Sequence, residues 1–204
     1  TSNDEDKQLQ DFAEKNNISF FACSENDVLD RFYQSAKSHK ADIIIRLTSD
    51  CPLIDNDLID KMISDFLSSK NLDYMSNTFN DSFPDGQDVE IFTFEALQKA
   101  WIKSTLISER EHVTPFIRKN SNYYQKTMFA VKSIDNKKNY ADVRMTVDED
   151  VDFEVIKILI EKLGLSEKWE NYAKLYRDNI DISRLNYHIK RNEGYYKSIA
   201  KDKK

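Results

Sequence analysis

Residues 43–55 read IIIRLTSDCPLID, and their pattern indicates the fold class. A run of β-branched residues leads to Asp50, after which a Cys-Pro turn and the start of a helix follow. Apolar runs bounded by turn residues are typical of strands buried on both faces of a parallel sheet. We therefore expect a buried strand over residues 43–47, an exit from the sheet at residues 48–51 and a helix cap at Asp55. Because ligands bind at the carboxyl ends of such strands, Asp50 is either a turn residue or a ligand for a phosphate-bound cation.

The sequence around this stretch alternates between strand and helix patterns. Residues 18–22, ISFFA, predict a strand, and residues 28–36 carry apolar side chains at helical spacing. Strand and helix in alternation favour right-handed βαβ units, hence an α/β, Rossmann-like, mainly parallel sheet with helices on both faces. Beyond residue 70 we expect an antiparallel excursion over residues 72–103. A strand at residues 143–148, VRMTVD, should then precede a helix closed by Gly164.

Length and composition narrow the class of protein. The 204 residues predict a single domain over residues 1–204, with residues 165–204 as a C-terminal helical appendage. A net charge of -6 with dispersed basic residues argues against nucleic acid as a partner. No apolar run is long enough to cross a membrane and no signal-peptide pattern opens the chain, so a cytoplasmic protein is expected. Cys23 and Cys51 are interpreted as reduced, mostly buried thiols.

Glycine is scarce, and this bears on phosphate binding. Only Gly86, Gly164 and Gly194 occur, and neither GxGxxG nor GxxxxGK[ST] is present. Loops that cradle phosphate need glycine because the backbone must approach the phosphate closely. Either the protein binds no phosphate, or its phosphate loop is not in this chain.

Acidic residues at strand ends are the first candidates for chemistry. Asp148 in VRMTVDEDVDFE repeats the position of Asp50, at the end of an apolar strand and just before a helix. Two such carboxylates on one rim could hold Mg²⁺, which favours one or two carboxylates plus substrate phosphates. The alternative makes Asp50 a turn residue and Asp148 a helix N-cap.

Two further stretches contain candidate substrate ligands. PDGQDVEIF contributes Asp85, Asp88 and Glu90, although its Asp-Gly pair is also that of an ordinary hairpin turn. EREHVTPFI contributes His112, which would bind substrate, act in acid–base chemistry or only form a local hydrogen bond. No spacing indicates a Ser-His-Asp or Cys-His nucleophile.

Six stretches, in order, resemble one family. They are SENDVLDRFYQSAK, ADIIIRLTSDCPLID, FPDGQDVEIFTFEALQKAW, EREHVTPFI, VRMTVDEDVDFEVIK and NYHIKRNEGYYKS. Together they resemble the cytidylyltransferases of the spore coat polysaccharide biosynthesis type, relatives of the acylneuraminate and 3-deoxy-manno-octulosonate cytidylyltransferases. Each motif is weak by itself, but six in order over nearly the whole chain are specific.

The resemblance implies a nucleotide-diphospho-sugar transferase fold and transfer of CMP from CTP to a sugar acid or sugar phosphate for surface polysaccharide. Asp50 and Asp148 resemble the family's Mg²⁺-binding, catalytic aspartates. Ser24, Arg31 and Arg46 are predicted as nucleotide-side or structural partners. Asp85, Asp88, Glu90 and His112 are predicted on the sugar side. The resemblance leaves a homodimer open. The family usually reads VDEPEDFE, so Asp150 and Val151 replace its Pro and Glu while Asp148 and Asp152 remain aligned.

The largest departure from the family lies at the front. Family members begin with a strand and a basic glycine-rich loop resembling RxxSxRLPGK, and neither is present here. We therefore expect an incomplete N-terminus, with the first strand and phosphate loop missing. Two rival functions stay open. One is a non-catalytic module that binds a sugar or a partner, and the other is a metal-dependent glycosyltransferase, for which TSDCP supplies a single acid in place of an acidic pair.

Overall fold

The computed structural model describes residues 1–23, 25 and 27–203, which contain both helices and strands. Within these residues the α-helices are α1 (Lys7–Lys15), α2 (Val28–Ser38), α3 (Asn56–Ser68), α4 (Phe94–Lys103), α5 (Ile107–His112), α6 (Pro115–Lys119), α7 (Asp150–Leu163), α8 (Trp169–Asp178), α9 (Ile180–Asn186) and α10 (Glu193–Lys201). The strands are β1 (Ile43–Arg46), β2 (Tyr74–Ser76), β3 (Glu90–Thr93) and β4 (Val131–Ser133), and short 3₁₀ turns cover Asp4–Asp6 and Asn122–Tyr124.

The four strands form one mixed sheet in the order β1-β3-β2-β4. β2 and β3 pair antiparallel, with Met75 opposite Ile91, and β2 and β4 pair parallel, with Met75 opposite Lys132. The antiparallel pair lies within residues 72–103, where the sequence predicts the antiparallel excursion. The predicted α/β class is therefore confirmed.

β1 corrects one expectation. The strand forms where the β-branched run predicts it, but it lies at one end of the strand order among the described residues. Ile43, Ile45 and Leu47 consequently keep 37–40% of their surface exposed. The prediction of a strand buried on both faces was wrong, because burial depends on neighbouring elements and not on the composition of the strand alone.

Two other predicted strands are not regular strands. Residues 18–22 adopt no regular structure, and no strand in the described part of the chain pairs with them, so the backbone lacks the partner that a strand requires. Residues 143–148 are extended, but their pairing is limited to one isolated parallel bridge between Arg144 and Asp85. That bridge matters for the site described below.

The chain divides into two compact units. The first comprises Thr1–Ile44, Thr93–Phe129 and Glu193–Lys204. Its helix α2 packs against α4 and α5, and α10 packs against α5. At the centre of the α2–α4 contact, Tyr33 stacks on Trp101 with ring centroids 4.1 Å apart. The apolar side chains Leu9 and Phe12 of α1 are exposed.

The second unit comprises Ile45–Phe92 and Ala130–Asn192 and contains a continuous hydrophobic core. Helices α7, α8 and α9 pack on one another, with Trp169, Tyr172 and Tyr176 among the buried side chains. α7 ends before Gly164, as the sequence predicts. The φ of +83° at Gly164 explains why a glycine closes the helix. No helix among the described residues combines the length and the apolar character needed to span a membrane.

Candidate functional site

The loop that carries Asp50 follows β1 directly. The chain turns after Thr48, whose carbonyl accepts a hydrogen bond from the N–H of Cys51 at 3.3 Å. The carbonyl of Asp50 accepts from the N–H of Val147 at 2.8 Å and from the hydroxyl of Thr146 at 3.2 Å. The backbone of Asp50 is thereby hydrogen-bonded to the segment that leads into Asp148.

The carboxylate of Asp50 is half-buried and weakly engaged. Within the described residues its hydrogen-bond donor is the thiol of Cys51, at a long 3.5 Å. Burial raises the pKa of this thiol to about 12, so Cys51 stays protonated and is not a nucleophile. Cys23 and Cys51 are both free thiols, as the sequence indicates.

Asp148 lies at the exit of the extended segment, just before α7. One of its oxygens accepts a hydrogen bond from Nη2 of Arg144 at 2.7 Å, and 54% of its side chain is exposed. It does not cap α7 by accepting a hydrogen bond from the helix. Instead its own N–H donates to Asp152 at 3.1 Å. The N-cap interpretation of Asp148 is therefore wrong, since Glu149 is the residue at that position.

Arg144 is the centre of a buried ion cluster. Its guanidinium binds Asp152 in a bidentate manner at 2.8 and 2.7 Å, Asp85 at 2.8 Å and Asp148 at 2.7 Å. Burial opposes the charge of Arg144, but the surrounding carboxylates outweigh it, so its pKa is raised and the side chain stays protonated. A buried cation bound to three carboxylates fixes the spacing of Asp85 and Asp148.

Asp152 has the most fully satisfied carboxylate of this cluster. It is completely buried on the first turn of α7 and also accepts from the backbone N–H of Glu149 and from Asn186, at 3.0 and 2.9 Å. Burial acts to raise the pKa of Asp152, but these hydrogen bonds and Arg144 hold it below its usual value. Asn186 is oriented in turn by the hydroxyl of Tyr176, at 2.8 Å.

The PDGQD turn faces the extended segment. The N–H of Asp85 donates to the carbonyl of Val143 at 2.9 Å, and its carbonyl accepts from Met145 at 2.7 Å. Gly86 has a φ of +103°, and a Cβ there would lie 2.5 Å from the carbonyl oxygen of Met145. Glycine is therefore required both by backbone conformation and by the close approach of a neighbouring chain segment.

Asp85 and Asp88 share a second arginine. Arg191 lies 2.6 Å from Asp88 and 3.7 Å from Asp85, and it also donates to the carbonyl of Phe83 at 3.0 Å. Burial raises the pKa of Asp88 to about 6, and it also raises that of Asp85, although the nearby arginines oppose both shifts. Asp50 and Asp85 add to the shift of Asp88 by charge repulsion, so these carboxylates belong to one electrostatic environment.

Glu90 and Arg46 form a separate buried pair. Their side chains lie 2.5 Å apart, and Glu90 also accepts a hydrogen bond from the hydroxyl of Tyr74 at 2.6 Å. This pair joins the end of β1 to the start of β3. The structure thus gives both residues a structural partner, while their roles toward sugar and nucleotide stay predictions.

His112 and Arg31 belong to the first unit. Nε2 of His112 lies 3.0 Å from the hydroxyl of Ser198, and its ring contacts Tyr195 edge to face. These partners lie on α10, so His112 contributes to the packing of α10 on α5. Arg31 lies on α2, and Ser24 lies outside the described residues. The binding roles of all three stay predictions.

The oxygens of Asp50 and Asp148 suit a hard divalent cation. Each carboxylate retains an oxygen without a strong protein donor among the described residues, and neighbouring backbones tie the two segments together. The described residues contain no group of three or more Asp, Glu, His or Cys side chains arranged for a metal ion. Two carboxylates completed by water and phosphate oxygens are nevertheless the usual protein share of a Mg²⁺ site, so this donor set fits Mg²⁺.

The profile of the family described as "Cytidylyltransferase" matches residues 3–185, which is most of the chain. The chain belongs to the cytidylyltransferase family. The curated relatives include the spore coat polysaccharide biosynthesis protein SpsF of Bacillus subtilis, 32% identical over 165 residues, with 78% of this chain and 65% of SpsF covered. An uncharacterised protein of Methanocaldococcus jannaschii is 36% identical over 151 residues, with 74% of this chain and 59% of that protein covered.

A solved structure supports the same assignment. The structure of a cytidylyltransferase from Leptospira borgpetersenii matches with a TM-score of 0.82 and 32% identity, covering 89% of this chain and 75% of that one. The fold is therefore that of a nucleotide-sugar transferase-like cytidylyltransferase. The chain spans about three-fifths of the length of the curated relatives that it matches.

The structure thus brings together, in the second unit, Asp50, Asp148, Asp85 and Asp88 of the predicted site residues. Four residues of this part of the structure were not predicted as site residues, namely Arg144, Arg191, Asn186 and Gln87. Arg144 carried a signal, because a charged residue inside the apolar run VRMTV must be paired if that run is buried. The other three lie within stretches that resemble the family, but no local pattern indicated their contacts, since their partners are remote in sequence.

Proposed function

We propose that the protein transfers CMP from CTP to a sugar, with Asp50 and Asp148 as ligands of a catalytic Mg²⁺. In this reaction a sugar oxygen attacks the α-phosphorus of CTP in line. The bond from that phosphorus to the bridging oxygen breaks, and pyrophosphate leaves. The bound metal ion would neutralise charge on the phosphate oxygens. The family match supports the transfer of CMP from CTP. The 2.8 Å hydrogen bond from the N–H of Val147 to the carbonyl of Asp50 is the observation that supports a shared role for the two aspartates.

The protein's own residues would contribute positioning and charge. Arg144 holds Asp148 with one carboxylate oxygen turned to the guanidinium, which leaves the other available. Asp88 is the best candidate to accept hydrogen bonds from sugar hydroxyls. Its side chain keeps 27% of its surface exposed, against 13% for Asp85 and 6% for Glu90. Asp85 and Glu90 would then act through their ion pairs with Arg144 and Arg46, which hold the surrounding backbone in place.

The proposal also covers the sugar that accepts CMP and the biosynthetic role of the product. The name of SpsF concerns spore coat polysaccharide, and we extend that role here to a sugar destined for a surface polysaccharide. Ser24, Arg31 and Arg46 on the nucleotide side, His112 on the sugar side, a cytoplasmic location and a homodimer stay predictions from the family resemblance.

The experiment is pyrophosphate release from CTP with a panel of sugar acids and sugar phosphates, with Mg²⁺ and with excess EDTA. Asp50→Asn should lower turnover about 100-fold or more, since a catalytic metal ion contributes several kcal/mol. Its melting temperature should stay within about 2 °C of the unmodified protein, because the loop is held by backbone contacts.

Asp181→Asn is the matched control. Asp181 is an exposed aspartate on α9 that forms a surface ion pair with Arg184, and its substitution should leave turnover within about twofold. Near-normal turnover by Asp50→Asn would return Asp50 to the role of a turn residue. Sugar binding without pyrophosphate release would favour the non-catalytic alternative.

A further inference from the structure

The side chain of Gln87 joins the PDGQD turn to the loop that carries Asp50. Gln87 is completely buried. Its Nε2 donates to the carbonyl of Leu53 at 2.8 Å, and its Oε1 accepts from the N–H of Asp55 at 3.0 Å. The amide thus presents to the loop the donor and acceptor pair that a neighbouring strand would present.

The backbone of Gln87 is fixed by a second buried amide. Asn77 follows β2 and is itself 1% exposed. Its Nδ2 donates to the carbonyl of Gln87 at 2.6 Å, and its Oδ1 accepts from the N–H of Val89 at 2.9 Å. Gln87 therefore acts from a rigid position, because its own carbonyl and the N–H of Val89 are both hydrogen-bonded to Asn77.

The loop after β1 is consequently held at two points. At its first point, the carbonyl of Asp50 accepts hydrogen bonds from Val147 and Thr146. At its second point, Leu53 and Asp55 are bound by Gln87. Residues 51 and 52 are all that separate Asp50 from Leu53, so the two points together constrain the backbone that carries the Asp50 side chain.

We propose that Gln87 is a positioning residue, which sets the Asp50 carboxylate for the cation through its amide contacts with Leu53 and Asp55. This inference rests on the proposed function, since it assumes that Asp50 binds a divalent cation. It assigns to the PDGQD turn a second role besides the sugar contacts predicted for Asp85 and Asp88. A buried amide is needed, because an apolar side chain would leave the carbonyl of Leu53 and the N–H of Asp55 unpaired.

The test measures cation binding and hydrogen exchange, neither of which requires turnover. Mn²⁺ serves as the probe, because it accepts the same oxygen ligands as Mg²⁺ and its free concentration can be followed by electron paramagnetic resonance. Gln87→Met should weaken Mn²⁺ binding about tenfold, the lower end of the effect of outer residues that orient metal ligands. The amide proton of Asp55 should exchange about tenfold faster or more, while that of Val147 should not change.

Gln98→Met is the matched control, since Gln98 lies on α4 and its amide contacts Tyr33 in the first unit. It should leave both measurements unchanged. If Gln87→Met does not fold, Gln87→Glu replaces it. That variant retains an acceptor for Asp55 but no longer donates to Leu53 when ionised, and weaker Mn²⁺ binding is again expected.

The outcomes separate the two proposals. Equal Mn²⁺ binding by the unmodified protein and the folded Gln87 variant would overturn the positioning role alone. Unchanged exchange at Asp55 in Gln87→Met would also overturn it. No Mn²⁺ binding by the unmodified protein would overturn the metal role of Asp50, and this inference with it.

Discussion

The loop that carries Asp50 and the segment that carries Asp148 are neighbours, yet the protein holds them by different means. The loop is bound by neutral groups, namely backbone amides, the hydroxyl of Thr146 and the side-chain amide of Gln87. The segment is bound by charge, through Arg144 and its three carboxylates. Each of the two aspartates follows an extended stretch of the chain. The contacts that hold the two regions should nevertheless respond differently to mutation and to pH.

The difference follows from the chemistry of each support. Neutral hydrogen bonds need no ionisation, so the Asp50 loop should change little between about pH 4 and pH 8. The Arg144 cluster depends on ionised carboxylates. Because the pKa of Asp152 is depressed in the folded protein, its contribution to stability is present above its unfolded pKa and is lost as pH falls through the folded value.

The largest effect is expected from Arg144→Met. Removing the guanidinium leaves Asp152 buried and ionised without its cation, which typically costs about 3–5 kcal/mol in the free energy of unfolding. Chemical denaturation at about pH 7 measures this change. Gln87→Met should cost less, about 1–3 kcal/mol, because it leaves only neutral groups unpaired.

Arg184→Met provides the reference for an exposed pair, since Arg184 and Asp181 are 64% and 72% exposed. Its cost should stay below about 1 kcal/mol. If Arg144→Met cost no more than Arg184→Met, the segment would not be held by charge, and the contrast between the two regions would fail.

The next effect concerns Gly86, where the PDGQD turn approaches the charged segment. A methyl group at a φ of +103° and 2.5 Å from the carbonyl oxygen of Met145 forces the two backbones apart. Gly86→Ala should therefore lower the free energy of unfolding by about 2–4 kcal/mol, from backbone strain and overpacking together. Thermal or chemical denaturation gives the value.

Gly194→Ala is the control for glycine itself. Gly194 lies in α10, and a Cβ there would have no atom within 4 Å. Alanine should be neutral or stabilise the protein by up to about 1 kcal/mol. Equal effects at Gly86 and Gly194 would show that the close approach of residues 145 and 146 is not what requires glycine at Gly86.

The sequence predicted more about the Asp50 loop than about the Asp148 segment, and the reason is physical. β1, the exit at Thr48 and the cap at Asp55 depend on local chemistry. Asp55 does cap α3, accepting from the N–H groups of Asp57 and Leu58. The strand predicted at residues 143–148 failed as a regular strand because its pairing partners are the single turn at Asp85 and a carboxylate on α7.

The features that the sequence could not predict depend on contacts between residues far apart in the chain. Asn186 and Arg191 meet Asp152 and Asp88 across 34 and 103 residues, and no periodic pattern specifies such distances. The exposure of β1 was missed for the same reason, since a run of isoleucines does not reveal whether another strand lies beside it. Arg144 was not predicted either, although a charge in an apolar run indicates a buried pair even when the partner is unknown.

The smallest effect is a pH dependence at Asp88, which tests whether charge extends from the Arg144 cluster into the turn. Burial raises the pKa of Asp88 to about 6 from a value of 3.8 in the unfolded chain. The folded protein then binds the proton more tightly. The contribution of Asp88 to the free energy of unfolding is therefore greatest below about pH 4 and is lost as pH rises through about 6. Asp88→Asn cannot ionise, so its stability relative to the unmodified protein should increase between about pH 4 and pH 7.

The expected change in this stability difference is about 1–2 kcal/mol. A difference of one pKa unit between the folded and unfolded protein changes the free energy of unfolding by about 1.4 kcal/mol. Water screens part of this effect, because 27% of the Asp88 side chain is exposed. Denaturation curves of both proteins across this pH range measure it, with Asp181→Asn as a substitution whose difference should stay flat. A flat difference for Asp88→Asn would mean that Arg191, 2.6 Å away, fully compensates the burial of the carboxylate. The stability of the PDGQD turn would then be as insensitive to pH as that of the Asp50 loop. Ionised groups would determine stability only at the buried Arg144 cluster.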